Sequence, residues 1–354
     1  MPRYGRAVTA ARAWWGGVLG TDPVEVADLR LDPGALDRDG WWSVVRPFEG
    51  GGRATRFATV RSAPLPSPAV PWRGPAAADW SSSLSREAYR AGVHRVRELV
   101  RQGEVYQVNL CRVLSARTPD RPDPWALAAR LSTGNPAPFA GVDDQGGGAG
   151  WVVSASPELF LRREGDRVAS GPVKGTAATR QQLLDKDRTK NVMITDLVRN
   201  DLSRVCLPGT VEVDGLLREE HHPGLVHLVS TVRGTLRPGT GWRSLLAATS
   251  PPGSVSGAPK SSALRAIAAL EPVPRGPYCG ALGRVHAGTG DGVLAVGIRS
   301  FWWTPDAEGS SDRFGPGGVL RFGTGAGITW GSDPDGEWAE TELKAVRLVG
   351  LASR

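Results

Sequence analysis

Forty-six glycines and twenty-eight prolines run through 354 residues, and their density constrains the fold more than any other feature. Glycine interrupts helices through its excess backbone freedom, and proline through its missing N–H. A helical bundle is therefore disfavoured, and a strand-rich chain with many turns is expected. With 40% apolar residues and thirteen Trp, this length suffices for one large domain or two ordinary ones around a substantial core.

The three cysteines, Cys111, Cys206 and Cys279, are odd in number and far apart. That pattern suits reduced thiols in a cytosol, and no Cys/His cluster has zinc spacing. The opening stretch MPRYGRAVTAARAWWGGVLG carries arginines but lacks an apolar core and a small-residue cleavage site. No apolar run is long enough to span a bilayer. A soluble, cytoplasmic protein with no membrane partner is expected. The net charge of +7 comes mostly from arginines scattered among acids, as in LREEHH and DKDRTK. A solvated surface, and not a nucleic-acid footprint, is the expectation, and the positive charge suits a small anionic substrate.

Residues 1–76 read as short strands and turns followed by a proline-rich extended connector, SAPLPSPAVPWRGPAAADW, and contribute strands to the same fold as residues 77–354. REAYRAGVHRVRELVRQG places Tyr89, Val93, Val96 and Val100 on one helical face, with Gly103 as the stop. EVYQVNLCRVLSA alternates as a strand, Tyr106, Val108 and Leu110 on one face, Gln107 and Asn109 on the other, a face that is more often solvated. WVVSASPELFLRRE reads as two strands meeting at Ser156-Pro157. A helix is expected over LLDKDRTKNVMITDLVRNDLSRVC, and GVLAVGIRSFWW should pair with GVLRFGTGAGI. Strands punctuated by a few amphipathic helices give an α+β class.

In the last helix, GEWAETELKAVRLVGLAS, Glu337, Glu340, Thr341 and Lys344 share a face at i, i+3, i+4, i+7. Before it, Gly323, Gly325 and Gly327 allow backbone N–H groups to converge on an anion, although tight hairpins also need glycine. His227 lies in an apolar strand, where a satisfied core histidine is the commoner reading. Lys174, in ASGPVKGTAATR, is either a surface lysine on a turn or a nucleophile in a pocket.

The ordered set GEVYQVNL, SASPELF, GPVKGT, NVMITDLVRNDLSRV, HLVSTVRGTL, PPGSVSGAPK, YCGALG, GIRSF and GAGITWGSDPDGEWAETELKA resembles the chorismate-utilising enzymes from about residue 84 to the C-terminus. That group includes anthranilate synthase component I, aminodeoxychorismate synthase component I, and the isochorismate and salicylate synthases. The resemblance implies a two-lobed antiparallel β-sandwich with flanking helices. The water-activating lysine of the isochorismate and salicylate branches is replaced by Gln107, and a neutral amide is no general base. Lys174 stands where aminodeoxychorismate synthases carry lysine and anthranilate synthases typically carry alanine. The resemblance therefore implies the chorismate-binding component of 4-amino-4-deoxychorismate synthase, on the route to para-aminobenzoate, with Lys174 as covalent nucleophile. Anthranilate synthase component I and a non-catalytic chorismate-binding subunit are the alternatives.

By the same resemblance Glu158 is the general acid and His227 lies at the leaving-group side. Tyr278 and Arg299 hold the enolpyruvyl carboxylate, supported by Gly325, Ala326 and Gly327. Thr176, Lys344 and Gln107 contact the substrate. No cysteine sits in a nucleophile-elbow context, so ammonia is expected from a separate glutamine amidotransferase subunit or from ammonium in solution.

Two positions depart from the family pattern. Lys190 stands where the family carries a Mg²⁺-binding glutamate, while Asp187 precedes it by three residues and Glu337 and Glu340 remain in the last helix. Three explanations stay open: Lys190 supplies the positive charge, Mg²⁺ binds through Asp187, Glu337 and Glu340 with several waters, or the chain is a pseudoenzyme. The second departure is Gly171, where many relatives carry arginine.

Overall fold

A computed structural model describes residues 10–177, 185–222, 225–306 and 317–354, with residues 174–177, 185–189, 220–222 and 225–227 described by their backbone alone. Its strands pair antiparallel, most of them in one extended system, with a separate three-stranded sheet of Val173–Ala177, Leu225–Val229 and Arg218–His222. Among the described residues six α-helices accompany the strands, so the class is α+β. The buried apolar residues form two clusters. One includes Trp42, Tyr89, Leu110 and Trp242, and the other Leu127, Trp151, Phe301 and Trp303. None of the described helices is long and apolar enough to cross a membrane.

The early strands are woven into the main sheet. Arg12–Trp15 pairs with Phe139–Asp144, and Trp41–Arg46 pairs with Ala281–His286. The proline-rich connector that follows reaches the end of the C-terminal helix, where the Trp72 indole donates to the Ala352 carbonyl at 3.0 Å.

The first helix spans Arg86–Arg101, opened by Ser85, whose hydroxyl accepts the Ala88 N–H, and buries Tyr89, Val93 and Val96. Gly103 follows with φ +77°, the left-handed turn that ends it. The next strand, Gln107–Thr118, begins one residue after Tyr106, which is 70% exposed and outside the apolar face that alternation gives it. Its amide face is also not solvated: Gln107 is 0% and Asn109 6% exposed. The physical reason is that a segment covers this end of the strand. Gly257 and Ala258 pair with Val108 and Gln107, and the Asn109 N–H donates to the Ser256 carbonyl.

On its other edge Gln107–Thr118 pairs with Gly318–Ile328 throughout, from Thr118 opposite Gly318 to Val108 opposite Ile328. Ser300–Pro305 covers the far edge of Gly318–Ile328 as far as Phe301 opposite Phe322 and stops there. The stretch GVLAVGIRSFWW is two strands, Asp291–Val296 and Ser300–Pro305, because Gly297–Arg299 breaks it. Arg299 takes φ +51°, an uncommon conformation for a non-glycine residue and one worth connecting to function.

Candidate active site

Where the Ser300–Pro305 ladder ends, the glycine stretch of Gly318–Ile328 meets the C-terminal helix, Pro334–Ala352. Asp333 caps that helix by accepting the Gly336 N–H, with Pro334 in the first turn. Two ties set its register on the sheet. Thr324 Oγ1 donates to the Thr341 carbonyl at 2.9 Å, and the buried Arg112 donates to Thr341 Oγ1 at 3.0 Å while stacking 4.1 Å from the Trp338 ring. This register brings the helix face read from sequence onto the glycines. Lys344 Nζ donates to the Gly325 carbonyl at 2.9 Å and pairs with Glu340 at 2.7 Å.

A second ammonium reaches the same strand from the Asp185–Ser203 helix. Lys190 Nζ donates to the Gly327 carbonyl at 2.9 Å. Gln107 lies under the same glycine, since a Cβ at position 327 would sit 3.2 Å from its Cδ and Nε2. Both heteroatoms of this fully buried amide have no hydrogen-bond partner among the described residues. Each such group costs about 1–3 kcal/mol unless a ligand or an ordered water satisfies it.

Tyr278 closes the cradle on the Gly323 side. Its ring packs so tightly that a Cβ at 323 would lie 2.0 Å from Cγ. Burial pushes its phenol well above the ordinary range, and the Cys111 thiol lies 3.9 Å from the hydroxyl. The adjacent Cys279 N–H donates to Gly297, which leads into Arg299. Burial lowers the Arg299 guanidinium from its ordinary value, and Arg347 adds repulsion in the same direction. A half-buried cation next to another cation is a place for an anion.

Glu158 is connected to the same bend, because its carbonyl accepts the Val296 N–H at 3.0 Å. The buried Ser156 hydroxyl accepts the Glu158 N–H at 3.2 Å and donates to the Val296 carbonyl at 2.6 Å. This hydroxyl turn around Pro157 fixes how the 2%-exposed Glu158 leaves the backbone. A serine two residues before the glutamate was the signal available for it in SASPE.

Lys174, Thr176 and His227 belong to the small sheet. Val173 is opposite Val229 and Thr176 is opposite His227, so three steps on one strand match two on the other. Lys174-Gly175 therefore lies in a β-bulge, a feature that re-aims side chains next to active sites. The side chains of Lys174, Thr176 and His227 lie outside the described residues, as does that of Asp187. Asn191 ties this sheet to the helix carrying Lys190: its Nδ2 donates to the Leu228 carbonyl at 3.1 Å, and Ser230 donates to its Oδ1. Asn191 was not legible from sequence, because its partners Leu228 and Ser230 lie 37 and 39 residues away in the chain.

Of the carboxylates that the resemblance offers to Mg²⁺, the side chains of Glu337 and Glu340 are described and that of Asp187 is not. Among the described residues no three His, Cys, Asp or Glu side chains gather to hold a metal. Glu340 is engaged by Lys344, and Glu337 accepts the Ser332 hydroxyl at 2.6 Å. An ammonium, that of Lys190, reaches the strand from the position where the resemblance puts a metal-binding carboxylate. At the other departure, Gly171, an added Cβ would meet Leu159 Cβ at 3.4 Å.

Residues 53–350 match the family described as chorismate binding enzyme. The chain belongs to that family. Anthranilate synthase component 1 of Aeropyrum pernix is 36% identical over 79% of this chain and 63% of its own length. An aminodeoxychorismate synthase of Streptomyces pristinaespiralis is 40% identical over 73% of this chain and 35% of its own. The chain thus spans less than two thirds of the curated relatives it matches. The fold is that of anthranilate synthase component I from Streptococcus pneumoniae, with TM-score 0.76, 21% identity, and coverage of 99% of this chain and 95% of that one. As a member of this family, the protein has its glycine cradle, paired lysines and buried Gln107 within the matched region.

Proposed function

We propose that this chain is the chorismate-binding component of a 4-amino-4-deoxychorismate synthase and takes ammonia from a glutamine amidotransferase partner. The observation that carries the reading is Lys174 at a β-bulge, beside the Thr176–His227 pair. The aminodeoxychorismate synthase among the relatives supports the same branch.

The Lys174 amine attacks C2 of the ring. As the N–C2 bond forms, the two ring π pairs shift and the C4–O bond breaks. Glu158 gives the proton with which the hydroxyl leaves as water. Ammonia then forms the C4–N bond, the π pairs shift back, and the Lys174–C2 bond breaks. Arg299 and Tyr278 hold the enolpyruvyl carboxylate, Arg299 through its forked donors. Glycine-strand N–H groups and Lys344 support the carboxylates, and Thr176 contacts the substrate. Gln107, neutral and buried, keeps water from being activated as a competing nucleophile.

Incubation with chorismate, Mg²⁺ and ammonium, followed by mass identification, tests this. The wild type yields aminodeoxychorismate, which a lyase converts to para-aminobenzoate. Lys174→Ala loses at least a hundredfold in rate when ammonia is limiting, and an undiminished rate refutes the covalent route. A second reading, anthranilate synthase component I, is favoured by the names of most relatives. It predicts anthranilate without added lyase.

A further inference from the structure

We propose that Lys190 is a substrate-binding residue whose ammonium directly receives a carboxylate of chorismate, in place of a divalent cation. The proposal rests on the chorismate-binding reading of the site.

Lys190 and Lys344 cap the carbonyls of Gly327 and Gly325, both at 2.9 Å. In an antiparallel strand the N–H and C=O of one residue project to the same side, and residues two apart share that side. Gly318–Ile328 has no strand beyond Phe322 on this edge among the described residues. The two ammonium groups therefore stand on one open edge, about 7 Å apart along the strand. Each lysine has three N–H donors. Lys344 uses one on Gly325 and one on Glu340. Lys190 uses one on Gly327 and, among the described residues, keeps two for a ligand. The Gln107 amide, buried against Gly327 with both heteroatoms waiting for partners, is an independent sign that a polar ligand completes this end of the cradle.

Charge arithmetic supports the exchange. A glutamate at 190 with a divalent cation carries a net charge of +1, and a lysine alone carries the same +1. The carboxylate of the substrate meets equal charge in both cases, through a metal bridge in one and through N–H donors in the other. A lysine at 190 would also repel a divalent ion approaching Glu340.

The test measures chorismate affinity by tryptophan fluorescence or calorimetry, in excess EDTA and in excess MgCl₂. Circular dichroism confirms that each variant is folded. Wild type is expected to bind equally, within about twofold, in both buffers. Lys190→Met is expected to bind about ten- to a hundredfold more weakly in both, the value of a charge-assisted hydrogen bond. Lys190→Glu restores a carboxylate and is expected to bind when Mg²⁺ is present and not in EDTA. Wild-type affinity that falls tenfold or more in EDTA overturns the proposal, as does Lys190→Met binding like wild type. Metal-independent binding without formation of an aminated product supports the role of Lys190 while refuting the synthase reading. Absence of chorismate binding in either buffer refutes both.

Discussion

Gly323→Ala is the most direct perturbation of the cradle. The added Cβ would lie 2.0, 2.3 and 2.4 Å from Cγ, Cδ1 and Cδ2 of Tyr278. Carbon atoms in contact ordinarily stand about 3.5–4.0 Å apart, so the overlap is on the order of 1.5 Å. Relief requires the Tyr278 ring to move, but the ring is 5% exposed and walled in beside Cys111. Overpacking of this kind costs about 1–3 kcal/mol, and an overlap this large belongs at the upper end. Alanine would otherwise be favoured over glycine in a strand by about 0.5–1 kcal/mol. Urea denaturation should therefore show a lower midpoint at an unchanged slope, corresponding to a loss of about 3 kcal/mol. Chorismate affinity should fall with it, because Tyr278 leaves its place. In a Tyr278→Ala background the same Gly323→Ala change should cost nothing or stabilise slightly, giving a coupling energy of about 3 kcal/mol. An equal cost in both backgrounds, or no cost in the wild type, refutes the packing argument.

Ser156→Ala removes the hydroxyl that joins Glu158 to Val296 and should destabilise by about 1–3 kcal/mol. Steady-state kinetics should show kcat falling far more than KM changes, and equal effects on both would place Glu158 in binding instead of proton transfer. Lys260→Met isolates Asp201, now paired with Lys260 at 2.5 Å in a buried setting, and should cost about 3–5 kcal/mol near pH 8. Burial already raises the Asp201 carboxyl above its ordinary value, with Lys260 pulling it back, so the variant raises it further. A raised folded-state value means stability that is present at low pH and lost as pH rises from about 4 through that value. Denaturation midpoints should therefore approach wild type as pH falls toward about 4 and diverge at pH 8. A gap independent of pH refutes the assignment.

Local chemistry was legible where it is decided locally. The helix ending at Gly103, the two strands meeting at Pro157, and the shared face of Glu340 and Lys344 all follow from periodicity and turn residues. The cradle was legible in part, since glycines spaced by two in a strand project alike. The split of GVLAVGIRSFWW was not, because no proline marks it. Arg299 is held left-handed through tertiary ties, with the Ala155 N–H donating to its carbonyl and Gly297 bound to Cys279 and Gly280.

Gln107 shows why polarity in a strand is a weak guide to exposure. Alternation assigns one face to the core and the other to water only when one layer covers the sheet. Here Gly257-Ala258 occupies one edge, Gly318–Ile328 the other, and both faces at Gln107 and Val108 are closed. A neutral amide in such a place has no partner among the described residues, so its pairing comes from a bound molecule or an ordered water. Lys190 is the complementary case. From sequence it reads as a lost metal ligand, because the resemblance supplies the glutamate and nothing in the helix pattern supplies the acceptor. The acceptor is the Gly327 carbonyl, 137 residues away in the chain. Under the proposal made for Lys190, a substitution that looks like damage to a metal site delivers the same net charge to the open strand edge through a different donor.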